Sequence, residues 1–377
     1  MRTRAAVLHG AHAPLVVEEV ELAPPGPGEV LVRVASAGVC HSDLHLAEGH
    51  LGARWPIVLG HEGAGVVEEV GAGVDGLRPG DRVGFCHIAP CGECRACRGG
   101  RPALCEASGR AAYAGSLQDG TTRLRRADGT PLLHFNFVSC FAAHAVMPAS
   151  CAVPLPAELP LWQAALIGCG AVTGFGAVRN AARVRPAARV AVIGCGGVGL
   201  QVVAAARLAQ AETLVAVDRD EAKLELALAR GATHAVRAGD DAAARIRELT
   251  DGGVDYAFEV VGRPETILLA WEALAPGGTA VVVGIVPKGT EVPLPAFDLI
   301  SEKALRGSAY GSGEPATELR LLAELAAEGR LDVADVVSHT CDLEGIEEAF
   351  ERLRRGEGAR TVVLLDGEPG PDHLPGP

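Results

Sequence analysis

Lysine is nearly missing from this 377-residue chain, occurring only at positions 223, 288 and 303, and arginine is the general cation of a protein whose formal net charge is -13. A phosphate-binding surface needs clustered basic residues, so nucleic acid is not an expected partner. No apolar run approaches the roughly 20 residues that a membrane-spanning helix needs, and Met1-Arg2-Thr3-Arg4 leads into an apolar stretch too short for a signal peptide. These absences set membrane partners aside and predict a cytoplasmic protein. Internal repeats and low-complexity tracts are absent as well. Eleven cysteines, an odd number in a chain without an export signal, read as thiols and metal ligands rather than as disulfides.

The length exceeds that at which single cores stop growing, so two domains are expected, and 48% hydrophobic residues suffice for two cores. To about residue 170 the chain reads as short strands (30–34, 66–70, then Arg82-Val83 after Pro79-Gly80-Asp81) heavily punctuated by glycine and proline. From about Thr173 apolar strand candidates at 189–193, 213–217, 255–260 and 279–283 alternate with alanine-rich helix candidates at 198–210, 220–230, 242–249 and 264–274. That alternation is the signature of repeated βα units and a parallel sheet. Helices at 316–327 and 343–355 precede a closing strand at 361–365, expected to return to the first domain. The tail from Gly367 to Pro377 cannot sustain regular structure and is expected to be mobile.

Cys91, Cys94, Cys97 and Cys105 follow the spacing C-x2-C-x2-C-x7-C, with Gly92, Gly99 and Gly100 between them. Such a lobe can wrap one tetrahedral metal, and Zn2+ held by four thiolates is coordinatively closed: it stabilises a loop and takes no substrate. A nucleic-acid-binding zinc ribbon is the rival reading. Arg95, Arg98 and Arg101 lie on the lobe, but three arginines can equally be a solvated face, and the overall charge opposes that reading. Chemistry must lie elsewhere.

Gly194-Cys195-Gly196-Gly197-Val198-Gly199 fits G-x-G-x-x-G directly after an apolar strand and at the opening of a helix. Glycines let the backbone approach a pyrophosphate, and the helix N-terminus favours its charge. Asp218 ends the next strand 19 residues after Gly199, where a carboxylate bonds the ribose hydroxyls and repels a 2'-phosphate, favouring NAD over NADP. Arg219, immediately after it, could instead accommodate that phosphate.

Two further clusters remain, Cys40-His41-Ser42-Asp43-Leu44-His45 and Gly60-His61-Glu62-Gly63-Ala64-Gly65, together with Cys169 between Gly168 and Gly170. Taken singly these residues mean little, since a buried Cys usually packs and a buried His is usually hydrogen-bonded structure. Jointly, one Cys from each flank and one His supply a Cys2His shell with an open fourth position.

With these motifs in order, the chain from Val30 through Arg360 resembles the zinc-dependent alcohol dehydrogenases of the medium-chain dehydrogenase/reductase superfamily. The resemblance implies an α/β fold class: a GroES-like, mainly-β catalytic domain plus a Rossmann domain built on a doubly wound parallel sheet. Residues 1–170 would form the first, 171–311 the second, and 312–377 would return to the catalytic domain. It also implies two Zn2+ per chain, catalytic on Cys40, His61 and Cys169 and structural on Cys91, Cys94, Cys97 and Cys105. Ser42 and His45 become a proton relay, Asp43 the partner behind His61, and Glu62 a carboxylate near the metal. Beyond the glycine-rich turn and the pair Asp218 and Arg219, the cofactor contacts would include His41, Thr173, Lys223, Val283, Ile285 and Arg360, the last against the pyrophosphate. The activity so implied is NAD-linked oxidation of a primary alcohol to an aldehyde, and the reverse.

His41 replaces the arginine that several such enzymes set against the cofactor phosphates. Leu51, His87, Phe135, Asn136 and Phe141 are the expected substrate pocket, a mainly apolar set suited to a medium-chain or aromatic alcohol. His87 reads equally well as a core histidine bonded to backbone. The long segment 106–140 resembles that of the dimeric classes, so a homodimer is expected, with a tetramer as the other outcome. Those classes include glutathione-dependent formaldehyde dehydrogenases, making oxidation of a thiol adduct the runner-up, with Arg110 near where a carboxylate anchor would be wanted. A dinucleotide-binding protein without catalysis is the reading from another class, and the intact Cys40, His61, Cys169, Ser42 and His45 argue against it.

Overall fold

The computed structural model describes residues 1–52, 54–365 and 367–371; the end of the tail expected to be mobile, 372–377, lies outside them. The chain divides into two compact units, one of residues 1–169 with 314–377 and the other of residues 170–313.

The first unit is built on two β systems. A closed barrel joins the strands Arg2–Leu8, Leu15–Leu22, Leu124–Arg125, Pro131–His134 and Ile57–Val58. A seven-stranded sheet runs Ala152–Pro154, Arg82–Phe85, Glu62–Val70, Glu29–Val39, Arg360–Leu364, Val337–Cys341, with His144–Pro148 also paired to Glu29–Val39. Strand Glu29–Val39 is buried along most of its length and pairs antiparallel with Glu62–Val70, so that Gly38 faces Glu62. The late strand Arg360–Leu364 pairs antiparallel with the same strand, Thr361 opposite Val39. Val30, Val32, Val34, Phe85, Phe141 and Phe350 belong to the core beneath these elements.

In the second unit all six strands are parallel, in the order His234–Arg237, Thr213–Asp218, Arg189–Ile193, Val254–Glu259, Leu274–Val282, Ala304–Gly307. Numbered along the chain within this unit, that order is 3-2-1-4-5-6, the doubly wound nucleotide-binding arrangement. Continuous apolar runs such as Val190–Ile193 are what a strand covered on both faces requires. Helix Glu221–Ala229 ends at Arg230, and Gly231, at φ +107°, makes the left-handed exit. The two outer strands, His234–Arg237 and Ala304–Gly307, have no counterpart among the sequence-based strands, because both are short and exposed polar or charged residues break their alternation.

The absence of a long apolar run needs correction. Leu161–Ala182 is a helical run of 22 residues with mean hydropathy 1.5 in its most apolar window, long enough to span a bilayer by length and composition. Some 89% of that window is buried inside the protein, which marks a core helix. Glycine, cysteine and threonine scattered among its apolar residues hide it from a scan for unbroken leucine and valine.

Candidate metal centres and dinucleotide turn

Cys40, the adjacent His61 and Glu62, and Cys169 come from three separate parts of the first unit, yet their donor atoms all lie within 4.8 Å of one another, and all four residues are buried. Cys40 precedes helix His41–Ala47, and Cys169 sits in the wide turn Ile167–Ala171 of the buried helical run. Gly60, at φ +89°, turns the chain toward His61, and a Cβ there would overlap Phe141. Asp43 is fully buried; it accepts the Gly60 N–H at 2.9 Å and presents its other oxygen 3.1 Å from His61 Nδ1, close enough for charge pairing though off the line of a good hydrogen bond.

That orientation leaves His61 Nε2 buried with no hydrogen-bond partner among the described residues, an arrangement too costly for a core histidine unless a ligand takes the nitrogen. Sharing a proton with Cys169 holds the Cys40 thiol well below its ordinary pKa, against the effect of burial, and drives Cys169 well above. Burial disfavours a charged His61, but Asp43 and Cys40 outweigh it, and the pKa rises. Three soft or borderline donors around one point, one of them already thiolate-like, suit a Zn2+ with an open position.

Glu62 is pushed up to about 7 by burial, partly opposed by Arg360. Arg360 Nη2 reaches both Glu62 oxygens, at 2.9 and 2.8 Å, and Nη1 donates to the Val39 carbonyl at 3.1 Å. Arg360, expected against a cofactor pyrophosphate, has a side chain only 7% exposed and paired with Glu62, because a fully buried carboxylate demands a countercharge.

Ser42 and His45 stand three residues apart on helix His41–Ala47, hence on one face. Ser42 Oγ is 3.8 Å from Cys40 Sγ, and His45, half-buried, has its pKa lowered by burial and by neighbouring His50, so its neutral form prevails at neutral pH. His41 is exposed, its ring 6.3 Å from that of His45.

A cavity of about 220 Å³ is lined by Leu46, Leu51, Ile57, Tyr113, Phe135 and Asn136, among others, with Arg54 contributing a guanidinium. Phe135 and His87 both stand edge-on to the His61 ring, with centroids 5.3 and 4.9 Å away. Phe141 is misassigned to the pocket: it is fully buried and packs at right angles to Phe350 in the core. Leu46 and Tyr113 were not anticipated, and nothing in their local sequence sets them apart. Arg110 is exposed and does not line the cavity.

The four-cysteine lobe also gathers its sulfurs within 4.8 Å. Backbone N–H groups aim at them: Cys91 N–H at Cys105 (3.3 Å), Cys94 N–H at Cys91 (3.4 Å), Cys97 N–H at Cys94 (3.5 Å) and Ser108 N–H at Cys105 (3.4 Å). Such donors stabilise thiolates, and those from Cys97 and Glu106 bring Cys94 down to about 6. A closed Zn2+ fits this donor set.

In the second unit Gly194, at φ +98°, leaves strand Arg189–Ile193, and helix Gly197–Leu208 begins three residues later. A Cβ on Gly199 would collide with the Gly194 carbonyl, whereas at Gly196 it would meet nothing, leaving a face open to a phosphate. Asp218 accepts the Cys195 N–H at 2.7 Å and the Asp220 N–H at 3.0 Å, tying the carboxylate to the glycine turn. Gly197, Val198 and Thr173 are partly exposed, as is Lys223, 4.0 Å from Asp220. Arg219 and Ile285 are exposed; the Val283 N–H is taken by the Glu259 carbonyl at 2.8 Å. The buried Glu259, missed from sequence, pins the loop after its strand by accepting from Val261, Gly262 and Thr266.

Residues 26–157 match the family model described as an alcohol dehydrogenase GroES-like domain, and residues 197–328 that of a zinc-binding dehydrogenase. An S-(hydroxymethyl)glutathione dehydrogenase of Photobacterium damsela subsp. piscicida is 38% identical, over 96% of this chain and all of its own. A zinc-binding-domain alcohol dehydrogenase of Burkholderia ambifaria superposes with a TM-score of 0.93 at 38% identity, covering 97% of this chain and 99% of that one. The benzyl alcohol dehydrogenase of Acinetobacter calcoaceticus superposes with a TM-score of 0.91 at 32% identity, with the same coverage.

Proposed function

The chain belongs to the zinc-dependent alcohol dehydrogenases, an oxidoreductase family, and from that premise we propose that it interconverts primary aromatic or medium-chain alcohols and their aldehydes with NAD. The observation that carries the reading is the buried Cys40–His61–Cys169 donor set, with His61 Nε2 lacking a hydrogen-bond partner among the described residues. When bound, Zn2+ supplies a Lewis acid that eases loss of the hydroxyl proton and polarises the aldehyde carbonyl, and the nicotinamide carries the hydride.

The chain's own residues do the rest. Asp43, 3.1 Å from Nδ1, sets the direction of the His61 ring by charge pairing. Ser42 Oγ accepts the substrate's proton as its own hydroxyl proton is passed on to His45, which, neutral and in partial contact with solvent, releases it. Phe135, Leu51 and Leu46 exclude water along the cavity. Gly196, the N-terminus of helix Gly197–Leu208 and Asp218 hold the dinucleotide, Asp218 disfavouring a 2'-phosphate. Cys91, Cys94, Cys97 and Cys105 hold a second, structural Zn2+.

A homodimer is part of this reading. Strand Ala304–Gly307 is a sheet edge, exposed throughout, and Phe297 and Ile300 beside it are 80% and 76% exposed. An edge with unpaired backbone groups next to large apolar side chains is suited to a second copy across a two-fold axis. A second reading, oxidation of a thiol adduct of formaldehyde, is favoured by Arg54, a carboxylate anchor at the cavity.

Assaying alcohols and aldehydes with NAD(H) and NADP(H), with and without glutathione, alongside zinc analysis, tests the proposal. Benzyl alcohol or a medium-chain alcohol should be turned over with NAD and two zinc ions found per chain; formaldehyde oxidation that needs glutathione and is lost in Arg54→Ala would favour the second reading.

A further inference from the structure

Apart from the two donor sets above, a third group of potential ligands converges on the segment after helix His41–Ala47. His45 lies in its last turn, Glu48 caps its C-terminus, and Gly49, at φ +77°, turns the chain back. The His50 N–H then donates to the His45 carbonyl at 2.9 Å, which delivers the His50 ring to that of His45. The two Nδ1 atoms face each other at 3.4 Å, and Glu48 Oε2 stands 3.7 Å from His50 Nδ1. Arg354 engages the other Glu48 oxygen, Oε1, at 3.6 Å and so leaves Oε2 directed at the histidines.

The separation of the two histidine nitrogens matches a metal's demands, with the carboxylate oxygen slightly further out. Ligands about 2.0–2.1 Å from a tetrahedral zinc are separated from one another by about 3.3–3.4 Å. Two imidazole nitrogens at that spacing need something between them, either a shared proton or a cation. The half-buried surroundings of His45 keep its ring neutral, which is the ligating form. His50 is exposed, so an ion can enter from solvent and retain water in its remaining positions.

We propose that His45, Glu48 and His50 form a third metal site, taking Zn2+ or a similar borderline divalent ion, and that occupying it withdraws His45 from proton transfer. The site stands on geometry alone; its effect on turnover rests on the function proposed above. A ring nitrogen that donates its lone pair to a metal cannot accept a proton, so the exit route through His45 closes while the substrate cavity stays open.

The test adds Zn2+ to protein dialysed to constant zinc content, reading further uptake by equilibrium dialysis and, in parallel, the rate of alcohol oxidation near neutral pH. One additional equivalent should bind and the rate should fall with its occupancy. His50→Ala and Glu48→Gln should each weaken that uptake at least about tenfold and abolish the zinc-dependent fall in rate relative to the same variant in zinc-free buffer, because loss of a direct ligand costs no less than loss of its outer partners. No additional uptake, or uptake indifferent to both substitutions, overturns the site. Uptake that depends on both while the rate stays constant overturns the withdrawal of His45. Stoichiometry is read without turnover, so a failure of the proposed activity is distinguishable from a failure of the site.

Discussion

Arg360 Nη2 contacts both carboxylate oxygens of Glu62 across 298 residues of sequence, in a setting where neither side chain has appreciable contact with water. Glu62 borders the Cys40–His61–Cys169 set, and Gly38 opposite carries no Cβ because one would strike the Glu62 carboxylate. The last strand of the chain therefore delivers the charge that permits a carboxylate beside the proposed catalytic metal.

Removing only one partner of that pair should be costly. Arg360→Met is expected to destabilise the protein by about 3–5 kcal/mol, since it strands a buried carboxylate, and adding Glu62→Gln should recover most of the loss. Urea unfolding of the single and double variants measures this; additive losses would mean that the pair is not coupled.

The two proposed zinc sites should separate by mutation. Cys97→Ser is expected to lower zinc content by one equivalent and to lower the unfolding temperature, because the lobe is held by metal more than by apolar burial. His61→Ala should lose the other equivalent and nearly all turnover while keeping the far-UV spectrum. Metal analysis and circular dichroism on the same preparations check both.

Cofactor preference should follow Asp218. Its carboxylate is fixed by the Cys195 and Asp220 N–H groups at the end of strand Thr213–Asp218, so it meets an incoming 2'-phosphate as a rigid like charge. Asp218→Gly should shift the ratio of kcat/KM values toward NADP by at least tenfold. Equal efficiencies in the unmodified protein would give Arg219 the deciding role.

Proton release should depend on His45 most strongly near neutral pH. His45→Gln is expected to slow alcohol oxidation there by about 10²-fold and to recover as pH rises and hydroxide takes over, whereas Ser42→Ala should recover much less. A pH–rate profile superimposable on that of the unmodified protein would leave His45 outside the mechanism.

Acid should weaken the barrel through His134. This fully enclosed ring accepts the Arg123 N–H at 3.2 Å, and burial together with the Arg123 charge brings its pKa from 6.5 to about 3. Below 6.5 the unfolded chain binds a proton that the folded one refuses, so stability falls as pH drops toward 3; above 6.5 this group contributes no slope. Denaturant titrations should find that His134→Gln flattens the pH dependence by about 2 kcal/mol between roughly pH 6.5 and 5.

Local chemistry made much of this protein legible in one dimension. The four-cysteine spacing, G-x-G-x-x-G after an apolar strand, and the apolar runs at 189–193 and 213–217 each act over a few residues, so the chain alone specifies a thiolate lobe and a parallel nucleotide-binding sheet. What needed the third dimension was every relation set by long-range packing. Phe141 carries the same apolar signal as Phe135, yet one packs on Phe350 and the other borders the cavity, because hydrophobicity has no direction until strands are paired. The pairing of Arg360 with Glu62 had no signal in motif order; it follows from the register of its strand against Glu29–Val39 and from the cost of leaving Glu62 unpaired. The approach of His50 to His45 likewise follows from one left-handed glycine turn, a backbone event that residue types do not announce.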